Sequence, residues 1–326
     1  LVIVVLLYIF LFYMFNFKME ADKMFYQPTV IKLSTADSNK IGSEKLVIGI
    51  ELNGEARAYP IQLIGYHHQV VDTVNLIPVM VTYCTVCRTG RVFNPVVNGK
   101  YEKFRLVGMD HFNAMFEDET TKSWWRQSTG ECIAGPLKGT KLSEVKSEQV
   151  ALNAWLRRFP NSLILQGDEK FKSSFEQMDN YDKGNSKSNL TKRDTASWNP
   201  KSWIVGIEKD FSAKAYDWNQ LVALRIIQDS LLDLPLVILL EKDSASFHTY
   251  NRKINNDILN FSLRNDSIID LNSQSIWDID GRCIAGKLKG ASLKKIKSYQ
   301  EYVHSWEFFH PGSIRYQYPN GFNTIH

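Results

Sequence analysis

Two cysteines with two residues between them, in Tyr83-Cys84-Thr85-Val86-Cys87-Arg88-Thr89-Gly90, are the residues of this sequence best spaced for chemistry. From a tight turn such a pair can hold a metal ion between two thiolates, cycle between dithiol and disulfide, or close a small strained disulfide ring. Upstream lies a histidine pair in Gly65-Tyr66-His67-His68-Gln69. Two thiolates and one imidazole make a soft, open ligand set suited to copper(I), zinc or a haem iron, whereas hard cations take carboxylate-rich sites. His67, Cys84 and Cys87 are therefore the candidate metal ligands. His68 is a fourth, whose direction depends on whether it sits on a strand or a helix. The redox dithiol and the structural disulfide stay open as alternative readings of the same pair.

Two neighbouring chemistries fit less well. A structural zinc site needs four ligands, often two cysteine pairs, and Cys132 and Cys283 make no second pair. A thioredoxin-like pair opens a helix, but Arg88-Thr89-Gly90-Arg91 runs into Val92-Phe93 and reads as turn then strand. Met109 and His111, in Gly108-Met109-Asp110-His111-Phe112-Asn113, could complete a soft-metal set or simply form a surface turn. In Ser123-Trp124-Trp125-Arg126-Gln127, Arg126 and Gln127 are candidate pocket-lining residues for a cofactor. No Ser-His-Asp order, phosphate-cradling glycine loop or His-Glu-x-x-His is present, so hydrolase and nucleotide chemistry are unsupported. The net charge of +4 is spread without a block of like charges, which gives no groove for nucleic acid.

The elements that must position these residues are mostly short strands. Runs at 46–50, 78–83, 91–97 and 101–107 are β-branched or aromatic and separated by turn residues, and Asn98-Gly99 is the strongest hairpin signal. Helical spacing of Val150, Leu152, Trp155, Leu156 and Phe159 predicts one helix over 147–159 stopped by Pro160, and a similar pattern predicts another over 298–309 before Pro311. The expected fold is α+β and mainly β. With 326 residues, 44% of them hydrophobic, the chain can fill one large or two ordinary cores.

An internal repeat organises the chain. Val47-Ile48-Gly49-Ile50-Glu51 and Ala56-Arg57-Ala58-Tyr59 return as Ile204-Val205-Gly206-Ile207-Glu208 and Ala213-Lys214-Ala215-Tyr216. Cys132-Ile133-Ala134-Gly135-Pro136-Leu137-Lys138-Gly139 returns as Cys283-Ile284-Ala285-Gly286-Lys287-Leu288-Lys289-Gly290. We expect two tandem β-rich units, 46–166 and 203–317, each closed by one helix, joined by a polar surface connection at 167–202. Residues shared by both are most simply structural, which makes Trp125, Cys132 and Cys283 packing residues. In the same register His67 faces Leu224, His68 faces Arg225, Cys84 faces Glu241 and Cys87 faces Ser244, so only the first unit carries the candidate site.

Residues 1–17 carry no charge and are followed at once by Lys18, Glu20, Asp22 and Lys23. As a helix they would cover about 25 Å, at the short end for a span. Bulky Met14-Phe15-Asn16-Phe17 lacks a signal-peptidase pattern, so an uncleaved transmembrane anchor is expected, followed by a juxtamembrane segment at 18–45. That places the body outside the cytoplasm, on a periplasmic or outer face, with the membrane as its one expected partner.

Taken together, Ala58-Tyr59-Pro60, Gly65-Tyr66-His67-His68-Gln69-Val70-Val71-Asp72, the cysteine motif, Ser123-Trp124-Trp125-Arg126-Gln127 and Gly130-Glu131-Cys132-Ile133-Ala134-Gly135-Pro136-Leu137 resemble a bacterial family of unknown function, DUF3179. The resemblance is specific over about 46–166, and the second unit resembles a degenerate member. It implies that His67, Cys84 and Cys87 fall at motif positions, and it supplies no activity. Many members have Glu where His68 stands, and Cys84-Thr85-Val86-Cys87 replaces a more usual Cys-Pro-Leu-Cys. An imidazole in place of that carboxylate would soften a ligand set.

Overall fold

A computed structural model of the chain describes residues 1–28 and 30–318. The chain divides into two units, residues 1–148 with 152–192 and residues 149–151 with 193 onward. As expected it is mainly β, with several small sheets and, among the described residues, seven short α-helices.

In the first unit one sheet sets Leu33–Ser34, Leu163–Leu165, Glu55–Pro60 and Leu46–Leu52 side by side, with Leu163–Leu165 parallel to Glu55–Pro60 and Glu55–Pro60 antiparallel to Leu46–Leu52. A meander follows: Gln69–Val74, Ile77–Cys84 and Thr89–Phe93. A third, antiparallel sheet orders Cys132–Ala134, Trp124–Arg126, Asn113–Asp118 and Phe104–Asp110. Met80, Cys84, Cys87, Phe93, Phe104, Phe116, Trp125 and Cys132 share one buried cluster. The Asn98-Gly99 hairpin forms as expected, pairing Val96–Val97 with Lys100–Tyr101 at φ of 51° and 77° for the two turn residues.

The second unit has its own versions of these sheets. Tyr299–Tyr302, Trp203–Lys209, Ser212–Asp217 and Ile314–Arg315 form one, again with the short last strand parallel to its neighbour. Ile226–Leu231, Leu234–Leu240 and Phe247–Asn251 form a meander, and Phe261–Arg264, Ser267–Asp270, Ile276–Trp277 and Cys283–Ala285 form the antiparallel sheet. Details match at atomic scale. A Cβ on Gly49 would lie 2.3 Å from the Trp155 ring, and one on Gly206 would lie 2.3 Å from the Trp306 ring, so each strand has glycine where an indole presses on its backbone. Tyr59 donates to Asp72 at 2.8 Å and Tyr216 to Asp229 at 2.9 Å. Cys132 and Cys283 are buried and contact the carbonyls of Ala134 and Ala285, each at 3.3 Å.

Two expectations are corrected by the backbone. The helices predicted over 147–159 and 298–309 begin late: Glu148–Ala151 and Tyr299–Tyr302 are strands, and only Leu152–Arg158 and Val303–Phe309 are helical. In the second unit Trp203 to Gly206 pair with Tyr302 to Tyr299, and such cross-strand partners outweigh local helical spacing. Ile61–His67 in the first unit and Trp218–Leu224 in the second are further short helices that local spacing did not announce.

The expected transmembrane anchor is likewise not found. Val2–Tyr13 is α-helical and Met14–Lys18 is a π-helical turn, and among the described residues no helix is long and apolar enough to cross a membrane. None of the residues of Val2–Tyr13 is buried. The following segment, Ala21 to Gln27, returns to the first unit: Ala21 and Phe25 pack on the cysteine-containing core cluster, and Gln27 donates to the Phe104 carbonyl at 2.9 Å.

Candidate functional site

Cys84 ends the strand Ile77–Cys84, and Cys87 lies in the four-residue turn that returns the chain into Thr89–Phe93. Arg88 closes that turn at φ 59°. Its buried guanidinium donates to the Tyr181 and Asp182 carbonyls at 3.3 and 3.4 Å, while the Tyr181 hydroxyl donates to the Thr85 carbonyl at 3.0 Å. The stretch expected as a polar surface connection thus contributes Tyr181, Phe171 and Phe175 as buried groups behind the turn and the adjoining helix.

Both thiols are buried, Cys84 at 1% and Cys87 at 0% exposure, and all four cysteines are free. The staple reading therefore does not describe this structure. The Phe112 carbonyl lies 3.6 Å from Cys84 Sγ and 3.5 Å from Cys87 Sγ and can accept from either protonated thiol. Burial pushes the Cys84 thiol up, but a hydrogen bond from Cys87 and backbone N–H groups of Ala114, Cys87 and Val86 more than offset this and hold it below the ordinary thiol range.

The histidines sit in a different setting. His67 ends the helix Ile61–His67 with its Nδ1 on the Tyr26 carbonyl, among the rings of Tyr66, Phe171 and Phe175 at 5.0, 5.3 and 5.5 Å. His68 is the left-handed cap of that helix, at φ 57°. Its Nδ1 donates to the Tyr83 carbonyl at 2.8 Å, and the Phe25 ring meets it edge-on at 4.7 Å. Burial lowers both imidazoles below the usual histidine value, opposed by the Tyr26 and Tyr83 carbonyls respectively. Both are neutral near pH 7.

The expected metal set is therefore not assembled: among the described residues no group of three or more His, Cys, Asp or Glu is gathered where it could hold an ion. Two sulfurs alone do not make the donor set that a tetrahedral zinc needs. Met109 and His111 do not complete it. Met109 is 53% exposed, and His111 is an exposed turn residue bonded to Asp110 at 2.8 Å. Arg126 is held by Asp110 at 2.6 Å and Glu131 at 3.1 Å.

Gln127 is closer to the chemistry. It is fully buried, accepts from Thr89 Oγ1 at 2.6 Å and Asn113 Nδ2 at 3.0 Å, and donates to Thr82 Oγ1 at 3.1 Å. Asn113 Nδ2 also reaches Cys87 Sγ at 3.4 Å. Sequence reasoning missed Asn113, Thr82, Thr89 and the Phe112 carbonyl as parts of the site. One signal was available at Gln127, which faces Ile279 when Trp125 is set against Trp277.

Searches of curated proteins and of solved structures found no match to this chain. A family model does match, over residues 25–313, which takes in the Phe25 segment and nearly all of the second unit as well as the stretch at 46–166. The family's domain is thus the two units together, and the chain belongs to the family described as a protein of unknown function, DUF3179.

Proposed function

We propose that this protein is a thiol-disulfide oxidoreductase whose reactive pair is Cys84 and Cys87. The observation that carries this reading is the setting of Cys84, a buried thiol turned toward its thiolate by backbone N–H groups and by a second thiol in the same turn. In the reaction, Cys84 thiolate attacks one sulfur of a partner disulfide, forms a mixed disulfide and expels the other partner sulfur as a thiolate. Cys87 then gives up its proton and attacks Cys84 Sγ, forming the Cys84–Cys87 bond and releasing the second partner sulfur. Two electrons pass from the dithiol to the partner, and the protons end on the released thiols. A low-molecular-weight thiol returns the pair to its reduced state. Access requires the turn between Asp110 and Asn113 to lift, because the Phe112 carbonyl covers both sulfurs.

The reading extends to the rest of the chain. The shared sheet order, the Gly49–Trp155 and Gly206–Trp306 contacts and the two tyrosine–aspartate pairs support a tandem duplication whose second copy serves as scaffold. The fully exposed apolar helix Val2–Tyr13 supports contact with a lipid surface, and an extracytoplasmic location would bring the pair to partners that carry disulfides. Co-sedimentation of the full chain with phosphatidylcholine vesicles tests that contact; no association would remove it.

Redox titration of the full chain with trapping of free thiols tests the main reading. A reversible loss of two thiols, absent from the Cys84→Ser/Cys87→Ser variant, is expected. Stoichiometric copper, zinc or iron in the purified parent, lost in the same variant, would overturn it in favour of a metal centre.

A further inference from the structure

The dithiol reading says nothing of what holds the second thiol, and the buried polar network beside Cys87 answers that question. We infer that Asn113 is the positioning residue for Cys87, holding its sulfur through a side-chain amide N–H during the step that closes the Cys84–Cys87 bond. The inference rests on the proposed dithiol chemistry.

The direction of the Asn113 amide follows from its neighbours. Gln127 Nε2 donates to the Thr89 carbonyl at 3.1 Å, and a carbonyl can only accept, so the nitrogen end of Gln127 is fixed there. Gln127 Oε1 must then face Asn113, and the group it meets at 3.0 Å must be a donor. Asn113 Oδ1 independently accepts the backbone N–H of Ser128 at 2.8 Å. The amide is oriented from both ends, which leaves its N–H group toward Cys87 Sγ at 3.4 Å. Thr82, Thr89, Asn113 and Gln127 are each 0% exposed, so no water competes for these bonds.

A buried network of this kind is costly unless every member is satisfied, and the second unit shows that such a unit does not need one to fold. At the matching positions it has Leu239 for Thr82, Ser246 for Thr89 and Ile279 for Gln127, with Leu239 and Ile279 in an apolar cluster. Two members of the set, Thr82 and Gln127, thus have apolar counterparts in the unit without the cysteine pair, while Ser246 keeps a hydroxyl. Asn113 also follows Phe112 directly, so the backbone carbonyl and the side-chain amide that meet Cys87 come from adjacent residues.

The test uses 5,5′-dithiobis(2-nitrobenzoate), an aromatic disulfide, with the full chain and release of coloured thiolate followed in time. Cys84 attack releases one thiolate, and ring closure by Cys87 releases the second. In Asn113→Ala the first phase should keep its rate while the second slows about tenfold, the size expected for one hydrogen bond to a charged group. Gln127→Met, which places an apolar side chain where the second unit has Ile279, should slow the same phase by less. Equal slowing of both phases, or of neither, in both variants would overturn the assignment of Asn113. Absence of a second phase from the unaltered protein would instead remove the dithiol reading itself, and the role of Asn113 with it.

Discussion

In each unit the long meander strand ends, turns sharply and returns. In the first this turn is Cys84 to Arg88; in the second it follows Leu240 and carries Glu241, Asp243 and Ser244. The backbone is handled alike. Tyr83 N–H bonds the His68 carbonyl at 3.0 Å, and Leu240 N–H bonds the Arg225 carbonyl at 2.9 Å, with His68 and Arg225 both in the left-handed region at φ 57° and 59°. What differs is chemistry. The second turn closes with Asp243 accepting from Ser246, and Glu241 bonds His248 at 2.8 Å, ordinary polar closures that need no thiol. The comparison teaches that the turn forms in either unit, with the cysteines or without them.

The largest effect that would break this contrast is on reactivity. Cys84→Ser should reduce disulfide exchange to the background of the double cysteine variant, whereas Glu241→Gln and Ser244→Ala should leave it unchanged, as read by thiolate release. Cysteine alkylation in the parent should rise with pH through a midpoint below that of an ordinary thiol, since the folded site favours the Cys84 thiolate.

Next come the parts the units share. Trp155→Ala and Trp306→Ala should each cost about 3–5 kcal/mol in urea unfolding, because each indole fills the space over a glycine backbone. A loss confined to one unit would break the structural parallel. Asp118 and Asp270 are fully buried and accept from Trp125 and Trp277 at 2.9 and 3.3 Å. Burial pushes each carboxyl up, yet the tryptophan and turn donors hold it below the usual carboxylate range. Asp118→Asn and Asp270→Asn should each lower stability by about 1–3 kcal/mol, measured in the same unfolding experiment.

The smallest expected effect sharpens the difference again. His67 and His68 take up protons in the folded chain only below the ordinary histidine value, while the unfolded chain takes them up near pH 6.5. Their contribution is therefore fully present above pH 6.5 and is lost as the pH falls through the lower folded values. The melting temperature should drop with acid across that window, and His67→Gln/His68→Gln should flatten the slope. An unchanged slope would mean that neither imidazole is held neutral.

Much of this molecule was legible in local sequence. The Cys84–Cys87 spacing marked a turn where chemistry could be placed, Arg88-Thr89-Gly90 gave turn then strand, and Asn98-Gly99 turned the hairpin, because a few adjacent residues determine the allowed φ and ψ of a turn. The glycine repeated in Val47-Ile48-Gly49 and Ile204-Val205-Gly206 already marked a shared close approach. Local spacing misled where distant partners decide. Glu148–Ala151 and Tyr299–Tyr302 satisfy a helical pattern and are strands.

Only the tertiary structure decided which side chains surround the thiols. His67 and the cysteines look like one ligand set on paper, yet the helix that ends at His67 turns that ring among Phe171 and Phe175 and onto the Tyr26 carbonyl. Asn113 reaches Cys87, and Gln127 reaches Asn113, because the antiparallel register of Phe104–Asp110, Asn113–Asp118 and Trp124–Arg126 brings the ends of those strands to the cysteine turn. Residue types and short spacings record what a segment can do by itself. Which groups meet is set by backbone pairing between segments far apart in the chain, and no local pattern carries that register.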